Sequence, residues 1–505
     1  LTITESTPIP ILDSSKANQQ ITYNILNQVQ EGLMRLGPNA KPVPGLAESY
    51  QVSPDYRTYT FIIRKNAVWS DGKAVTAHDF KFAWERALSP ANEYEYSFLF
   101  YPIHNAESYS NGEVHSDQIG ITATDDRHLT IKLDKPDPNF LSLVTLTPFL
   151  PLRSDLIEKY GEGYASSAEK MSFTGPFKLT AYNPQSAGLV KNDLYWDANA
   201  IKLSQAIINV EVDQKKRISL YKSELMAMSK TFSSYSNGMK SKDMKLSPKA
   251  ISNYIVMNQN KEIFSNAKIR KAIQIAINNK EISSDFKGET TPINSLVPPV
   301  LITSNQEIFR TNISSSSQIS KAKEILNKGL SELKIDKFPP VKLVTTEGDV
   351  RLTTQANLLK RQLSMVGITV NIYKYPVKQK GRILLDGDYD LSINEWSAEY
   401  HDPSIFLMIG HSRVKDNISG FSDPHYDSLL DKASLEANPT KRDQLLQQAE
   451  RYLIEEKAVV VPLVHVNDLR LQKSYVKNVL YHPFGADYTL KWATYQPPKK
   501  IAATK

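Results

Sequence analysis

The chain has 505 residues and no cysteine, which excludes disulfides, thiolate metal sites, iron–sulfur clusters and a cysteine nucleophile. Its 61 Lys and Arg against 54 Asp and Glu leave a net charge of +7, a mild excess that does not by itself point to nucleic acid. With 41% hydrophobic and 23% charged residues the composition is that of a folded protein, and at ~150 residues per domain the length predicts about three domains or one large body with insertions.

Taken in order, 59–64 (YTFIIR) and 128–133 (HLTIKL) read as strands. Between them, 77–88 reads as a helix capped by Thr76, with Phe80, Ala83, Trp84 and Ala87 on one face. The apolar runs 140–152 and 458–466 are too short for a bilayer span and are interrupted by Pro148, Pro151 and Pro462. Residues 229–247 and 303–320, rich in Ser with Lys or Asn, read as surface loops. Helices are predicted over 266–278, with Asn266 as cap and Ile269, Ala272, Ile273, Ala276 and Ile277 as its apolar stripe, and over 352–366, closed by Gly367. The latter lies between strands 341–345 and 368–373, a βαβ-type unit that places an α/β lobe here. A fourth helix over 443–456 precedes a buried strand, 458–464, and the tail 496–505 reads as frayed.

Catalytic signatures are missing: there is no HExxH, GxSxG or GxxxxGK[ST]. Gly161-Glu162-Gly163 has no preceding strand, His401-Asp402 reads as a structural or rim pair, and the nine His residues show no ligand spacing. The basic run 214–217 contains no aromatic residue to stack on bases, so no nucleic-acid partner is expected. More telling are 25 Tyr, 17 Phe and 5 Trp, notably in 94–101 (YEYSFLFY) and 392–401 (SINEWSAEYH). Tyr and Trp offer apolar faces with polar tips, suiting a pocket with a few placed hydrogen bonds, though each alone also suits a core.

Five elements in 42–90 occur in a specific order: Pro44-Gly45-Leu46-Ala47-Glu48, the strand 59–64, Trp69-Ser70-Asp71-Gly72, Val75-Thr76-Ala77-His78-Asp79-Phe80, then Trp84 and Arg86. Together they resemble the oligopeptide-binding protein family, the large extracytoplasmic substrate-binding proteins of ATP-driven importers. The likeness continues through Glu31-Gly32-Leu33, Gly175-Pro176-Phe177-Lys178-Leu179, Asn192 with Tyr195-Trp196-Asp197, Asn258-Gln259 with Ile269-Arg270-Lys271-Ala272, and Trp396–Phe406, covering about residues 12–490 and weakest over 215–250.

The resemblance implies an α/β, two-lobed periplasmic-binding-protein-like fold (type II, large cluster C form) with an additional inserted domain. It divides the chain into lobe I (1–48, 173–258 and 474–505), the extra domain (49–172) and lobe II (259–473). It implies capture of an extended oligopeptide between the lobes, held by main-chain hydrogen bonds, and delivery to ABC permease and ATPase subunits. The binding residues it implies are Asn18, Gln19 and Gln20 on one side and Asn394, Glu395, Trp396, Ser397, Ala398, Glu399 and Tyr400 on the other. Glu399 stands where members place an acid that pairs with the ligand's α-ammonium; the alternative is a solvated carboxylate. Ile393 stands where some members have a base for a short peptide's carboxylate, and Arg351 is a substitute candidate for that contact. Glu395 beside Glu399 points to a cationic ligand side chain or to one acid with a raised pKa. No cofactor, metal or catalysis is expected, and the protein is read as a monomer tethered at the bacterial cell surface, or in the periplasm, by a lipid anchor outside the given sequence. The alternative within this fold is a peptide pheromone or signal, a dipeptide or a nickel chelate as ligand.

Overall fold

The computed structural model describes residues 1–232, 234, 240–286, 288–310, 317–415 and 417–497. Parts of the predicted loops 229–247 and 303–320, and most of the tail 496–505, lie outside the described residues. The chain divides into two compact units. The first comprises Leu1–Ser247, Glu399–His401 and the chain from Asp468; the second comprises Pro248–Ala398 and Asp402–Asn467.

In the first unit, strand Thr2–Glu5 lies parallel to both Gln205–Val210 and Met228–Thr231. Ser186–Lys191 and Phe177–Asn183 extend this sheet antiparallel beyond Gln205–Val210. A separate four-stranded antiparallel sheet is built from Ala47–Val52, Thr58–Ile63, His128–Lys132 and Ile121–Ala123. The helix Ala77–Leu88 matches its predicted bounds. Asp79 closes its first turn by accepting from the Thr76 N–H at 2.8 Å and from the Trp69 indole N–H at 3.2 Å. Gly72, at φ +88°, makes the tight turn before it. Trp84 is fully buried and packs edge-on against Phe149 at 5.2 Å, its N–H donating to the Phe149 carbonyl at 3.0 Å. One large apolar core runs from Ile3 and Leu12 through Phe61, Phe80 and Trp84 to Tyr488.

The second unit carries the predicted βαβ: Val341–Thr346 and Val370–Tyr375 are parallel, with helix Val350–Ser364 between them. Leu391–Ser397 lies antiparallel to 251–257, the end of the long strand Met244–Met257. Helix Ala267–Ala276 is capped by the Asn266 side chain, which accepts from the N–H groups of Lys268 and Ile269 at 2.9 and 3.3 Å. It packs against helix Ile319–Glu332 at Gly329, where a Cβ would come within 2.6 Å of Ile269.

Two expectations need correction. The ends of 229–247 are strands, because Met228–Thr231 pairs with Thr2–Glu5 on one side and with Leu469–Gln472 on the other. The strand expected to end at Val464 runs as Val460–Gln472, and its polar second half is buried among charges. There, Arg470 binds Asp487 at 2.7 Å and Asp468 at 3.1 Å, and Lys230 binds Asp468 at 2.7 Å. Buried Glu5 accepts from Tyr488 at 3.0 Å and Asn24 at 3.1 Å; desolvation raises its pKa, partly opposed by Arg470.

Replacing Arg470 with Met leaves these carboxylates buried with one cation fewer, a change expected to cost about 3–5 kcal/mol at pH 7. The carboxylates of the folded variant then take up protons more readily than those of the unfolded chain. The loss should therefore shrink as the pH falls towards about 5, as urea denaturation at the two pH values would show.

Candidate functional site

Strand Leu391–Ser397 sets the geometry of the site in the second unit. Residues of even number turn their main chain towards Met244–Met257: the Asn258 N–H donates to the Asp390 carbonyl at 3.0 Å, and the Ala398 N–H to that of Ala250 at 2.9 Å. The carbonyl of Ile393 points to the opposite edge, where it accepts from the Lys380 ammonium at 2.5 Å. Because successive residues alternate, the main-chain groups of Glu395 and Ser397 face that same edge. Strand Val341–Thr346 pairs along this edge at Leu391 and Ser392, before the Glu395–Ser397 stretch begins.

The side chains of this strand are anchored. Asn394 is buried and accepts from the Ser392 hydroxyl at 3.1 Å. The Trp396 indole N–H donates to the Ile405 carbonyl at 3.0 Å. Ser397 is exposed and Ala398 is buried. Glu395 forms an ion pair with Arg351, in the first turn of helix Val350–Ser364, so the two candidate charges are spent on each other. Asp349 caps that helix, accepting from the Leu352 N–H at 2.8 Å.

The candidates of the first unit form a second group. Ala17 is buried, and its carbonyl accepts from the Tyr23 hydroxyl at 3.2 Å. Asn18 donates to Glu95 at 2.9 Å. Gln19 holds an extended conformation at the N-cap of helix Gln20–Val29, and Gln20 donates to the Gly485 carbonyl at 2.9 Å. Tyr23 and Tyr96 meet edge to face at 6.4 Å. The Tyr23 hydroxyl has its pKa pushed up, chiefly by burial, with smaller contributions from Tyr96, Glu95 and Glu399. Glu399 therefore lies within electrostatic reach of this aromatic cluster, and burial pushes its own carboxyl above the usual carboxylate range. Tyr400 packs on the core of the same unit.

Reading the sequence missed Tyr23, Glu95, Tyr96 and Lys380. The aromatic run 94–101 was a signal for two of them. Lys380 gave none, because it comes from another helix, Val377–Leu385, to reach the position where Ile393 leaves no charge. His401-Asp402 is structural: Asp402 is buried against Arg442 at 2.9 and 3.0 Å, and the His401 N–H donates to the Ser142 hydroxyl at 3.0 Å. Among the described residues, no cluster of three or more His, Cys, Asp and Glu is placed to hold a metal ion, and no helix is long and apolar enough to cross a membrane.

The model of the bacterial extracellular solute-binding proteins, family 5, matches residues 41–417. The chain belongs to this family. It is 31% identical to the dipeptide-binding protein DppE of Bacillus subtilis over 484 residues, covering 94% of this chain and 88% of that one. Among solved structures it resembles Listeria monocytogenes OppA bound to peptide, with a TM-score of 0.75, 30% identity and 99% of each chain covered. It also resembles the pheromone receptor PrgZ, with a TM-score of 0.77, 29% identity, and 98% of this chain and 99% of that one covered. The family 5 fold is thus the mixed α/β, two-lobed one expected from the sequence.

A carboxyl whose folded-state pKa is raised stabilises the fold at low pH and loses that contribution as the pH rises. Glu399→Gln should therefore raise the melting temperature at pH 7 and give no gain at about pH 3 in scanning calorimetry. A fall at pH 7 would mean that the carboxylate is stabilised rather than desolvated.

Proposed function

We propose that this family 5 protein captures oligopeptides outside the cytoplasm and hands them to an ABC importer. The observation that carries this reading is the edge of strand Leu391–Ser397, where the main-chain groups of Glu395 and Ser397 face away from their pairing strand. Two residues on stands Glu399, a carboxyl in a partly desolvated aromatic setting. An extended peptide adds to such an edge through groups that every peptide carries, while its α-ammonium meets Glu399. Asn18–Gln20, with Tyr23 and Tyr96 behind them, would flank that end, and Trp396, Ser397 and Tyr400 would border the first ligand side chains.

Because Arg351 and Glu395 neutralise each other, a fixed preference for a cationic ligand side chain is not part of this reading. The reading is of a binder: Glu395 is ion-paired with Arg351, and the family to which the chain belongs is one of solute-binding proteins. We assign 49–172 as the extra domain, since all four strands of one sheet come from 47–132. A lipid anchor outside the given sequence, a monomeric state, and ABC permease and ATPase partners complete the proposal. A second reading, capture of a peptide signal, is favoured by the likeness to the pheromone receptor and uses the same contacts.

Titration calorimetry with a peptide and its N-acetylated form tests the clamp. The free peptide should bind about tenfold or more tightly, and Glu399→Gln should remove most of that difference. Equal affinities for the two forms would sink the role of Glu399. Mass spectrometry of what co-purifies should find peptides with free N-termini.

A further inference from the structure

The second unit holds a cavity that the peptide reading does not use. It measures about 210 Å³ and lies where helix Ala267–Ala276, the π turn Tyr452–Glu456 and strand Val460–Gln472 meet. Ile275, Ile454, Val461 and Pro462 form its apolar wall, and exposed Gln318 stands at its rim. This is several times the ~30 Å³ of a water molecule and below the ~300–1,000 Å³ of pockets that take drug-sized ligands. An apolar cavity of about 150 Å³ already takes up a molecule the size of benzene. Asn279, only 6% exposed, fixes one side by donating to the Pro462 carbonyl at 3.1 Å and to the Ile293 carbonyl at 2.5 Å.

The polar side of the cavity belongs to the π turn. Carbonyls at and just after this turn accept from side chains of helix Ala267–Ala276. Gln274 donates to the Ile454 carbonyl at 2.8 Å, Lys271 to that of Glu455 at 3.1 Å, and Arg270 to that of Lys457 at 2.8 and 3.1 Å. Lys271 also donates to the Gln274 side chain at 2.8 Å. A neutral amide suffices at Ile454, so tying a carbonyl does not call for the charge of Lys271. Burial opposes that charge and lowers the pKa of Lys271; Lys321 adds to the effect and Glu455 works against it. The nearby acids are taken. Arg310 pairs with Glu455 and lies 3.6 Å from Glu450, whose other oxygen accepts from the N–H groups of Leu296 and Val297 at 2.7 and 2.9 Å. Lys271 therefore has no carboxylate ion-paired to it among the described residues, and its third N–H has no acceptor there.

We propose that this cavity binds a small amphipathic carboxylate, its apolar chain against Ile275, Ile454, Val461 and Pro462 and its carboxylate on Lys271. The site is independent of the peptide reading: it lies wholly within the second unit, and none of the residues lining it belongs to strand Leu391–Ser397. Charge selects the anion. Around the cavity Lys271, Arg310 and Lys321 stand against Glu450 and Glu455, and both acids already face Arg310. A carboxylate on Lys271 gains a charge-assisted hydrogen bond where screening by water is reduced, and its methylenes leave water for the apolar wall. An amine of the same length meets a like charge instead.

Hexanoate, hexanol and hexylamine are the probes, each titrated into the full chain at pH 7 and followed by ligand-observed NMR. The wild-type protein should bind hexanoate about tenfold or more tightly than hexylamine. Lys271→Gln removes the charge and retains an amide donor. It should weaken hexanoate about tenfold and leave hexanol unchanged. Ile275→Trp fills the cavity and should abolish binding of both. Equal binding of hexanoate and hexylamine, no binding of hexanoate, or undiminished hexanoate affinity in Lys271→Gln would each overturn the proposal. Hexanoate binding that persists in a folded Ile275→Trp would place the ligand elsewhere and overturn it too. If Ile275→Trp does not fold, the wild-type preference and Lys271→Gln decide between the outcomes.

Discussion

Everything at the site depends on the alternation of one strand. In Leu391–Ser397, every second residue gives its N–H and C=O to Met244–Met257, and the residues between them must turn theirs the other way. Buried backbone groups without partners are costly, so an edge of this kind must be paired, solvated or covered. Val341–Thr346 pairs with the strand's beginning and Lys380 takes the carbonyl of Ile393. Beyond these contacts the main-chain groups of Glu395 and Ser397 turn away from Met244–Met257. Recognition by such an edge is indifferent to side chains, because the donors and acceptors recur in every peptide.

Those charges do not add up as the strand alone suggests. Two acids four residues apart, Glu395 and Glu399, look like a pair that repels or that collects a cation. In the folded chain they belong to different settings. Glu395 is part-exposed and neutralised by Arg351, an arrangement of modest energetic worth that costs little to hold. Glu399 is desolvated beside Tyr23 and Tyr96 with only its own main-chain contact lowering its pKa, so its charged form is the one left wanting a partner. The asymmetry between the two acids comes from their burial, which sequence spacing does not encode.

How much could be read beforehand follows from the same distinction between local and distant causes. The helix Ala77–Leu88 was legible to the residue because its cap and its apolar face lie within one short stretch. The βαβ unit was legible because its strands and helix each carry their own periodicity and Gly367, at φ +89°, marks the helix end. The helix expected over 443–456 begins instead at Pro439, capped by Asn438, and ends in a wider π turn at Tyr452–Glu456. Val460–Gln472 looked too polar to be buried beyond Val464, since the partners that make Asp468 and Arg470 tolerable, Lys230 and Asp487, lie far along the chain. Lys380 was hidden for the same reason: 13 residues separate it from the carbonyl it binds.

The residues by which the family is recognised and those that would choose a ligand are therefore different sets under different constraints. Glu31 and Arg35 form a buried ion pair at 3.1 Å, Asp197 holds Lys491 at 2.8 Å, and Asn192 ties the Gly175 carbonyl at 3.0 Å. A Cβ on Gly175 would press to 2.5 Å from the Val29 backbone. Changing any of these strands a buried charge, leaves a buried carbonyl without its donor or forces the main chain apart, so such motifs hold tightly to residue type and spacing. Strand Leu391–Ser397 is held by main-chain pairing, so its outward side chains can vary without breaking it. Lys380 shows the consequence: it holds the Ile393 carbonyl from a helix, where no motif marks it. The family pattern thus records the contacts that hold the fold, and a main-chain contact made from a neighbouring helix leaves no mark in it.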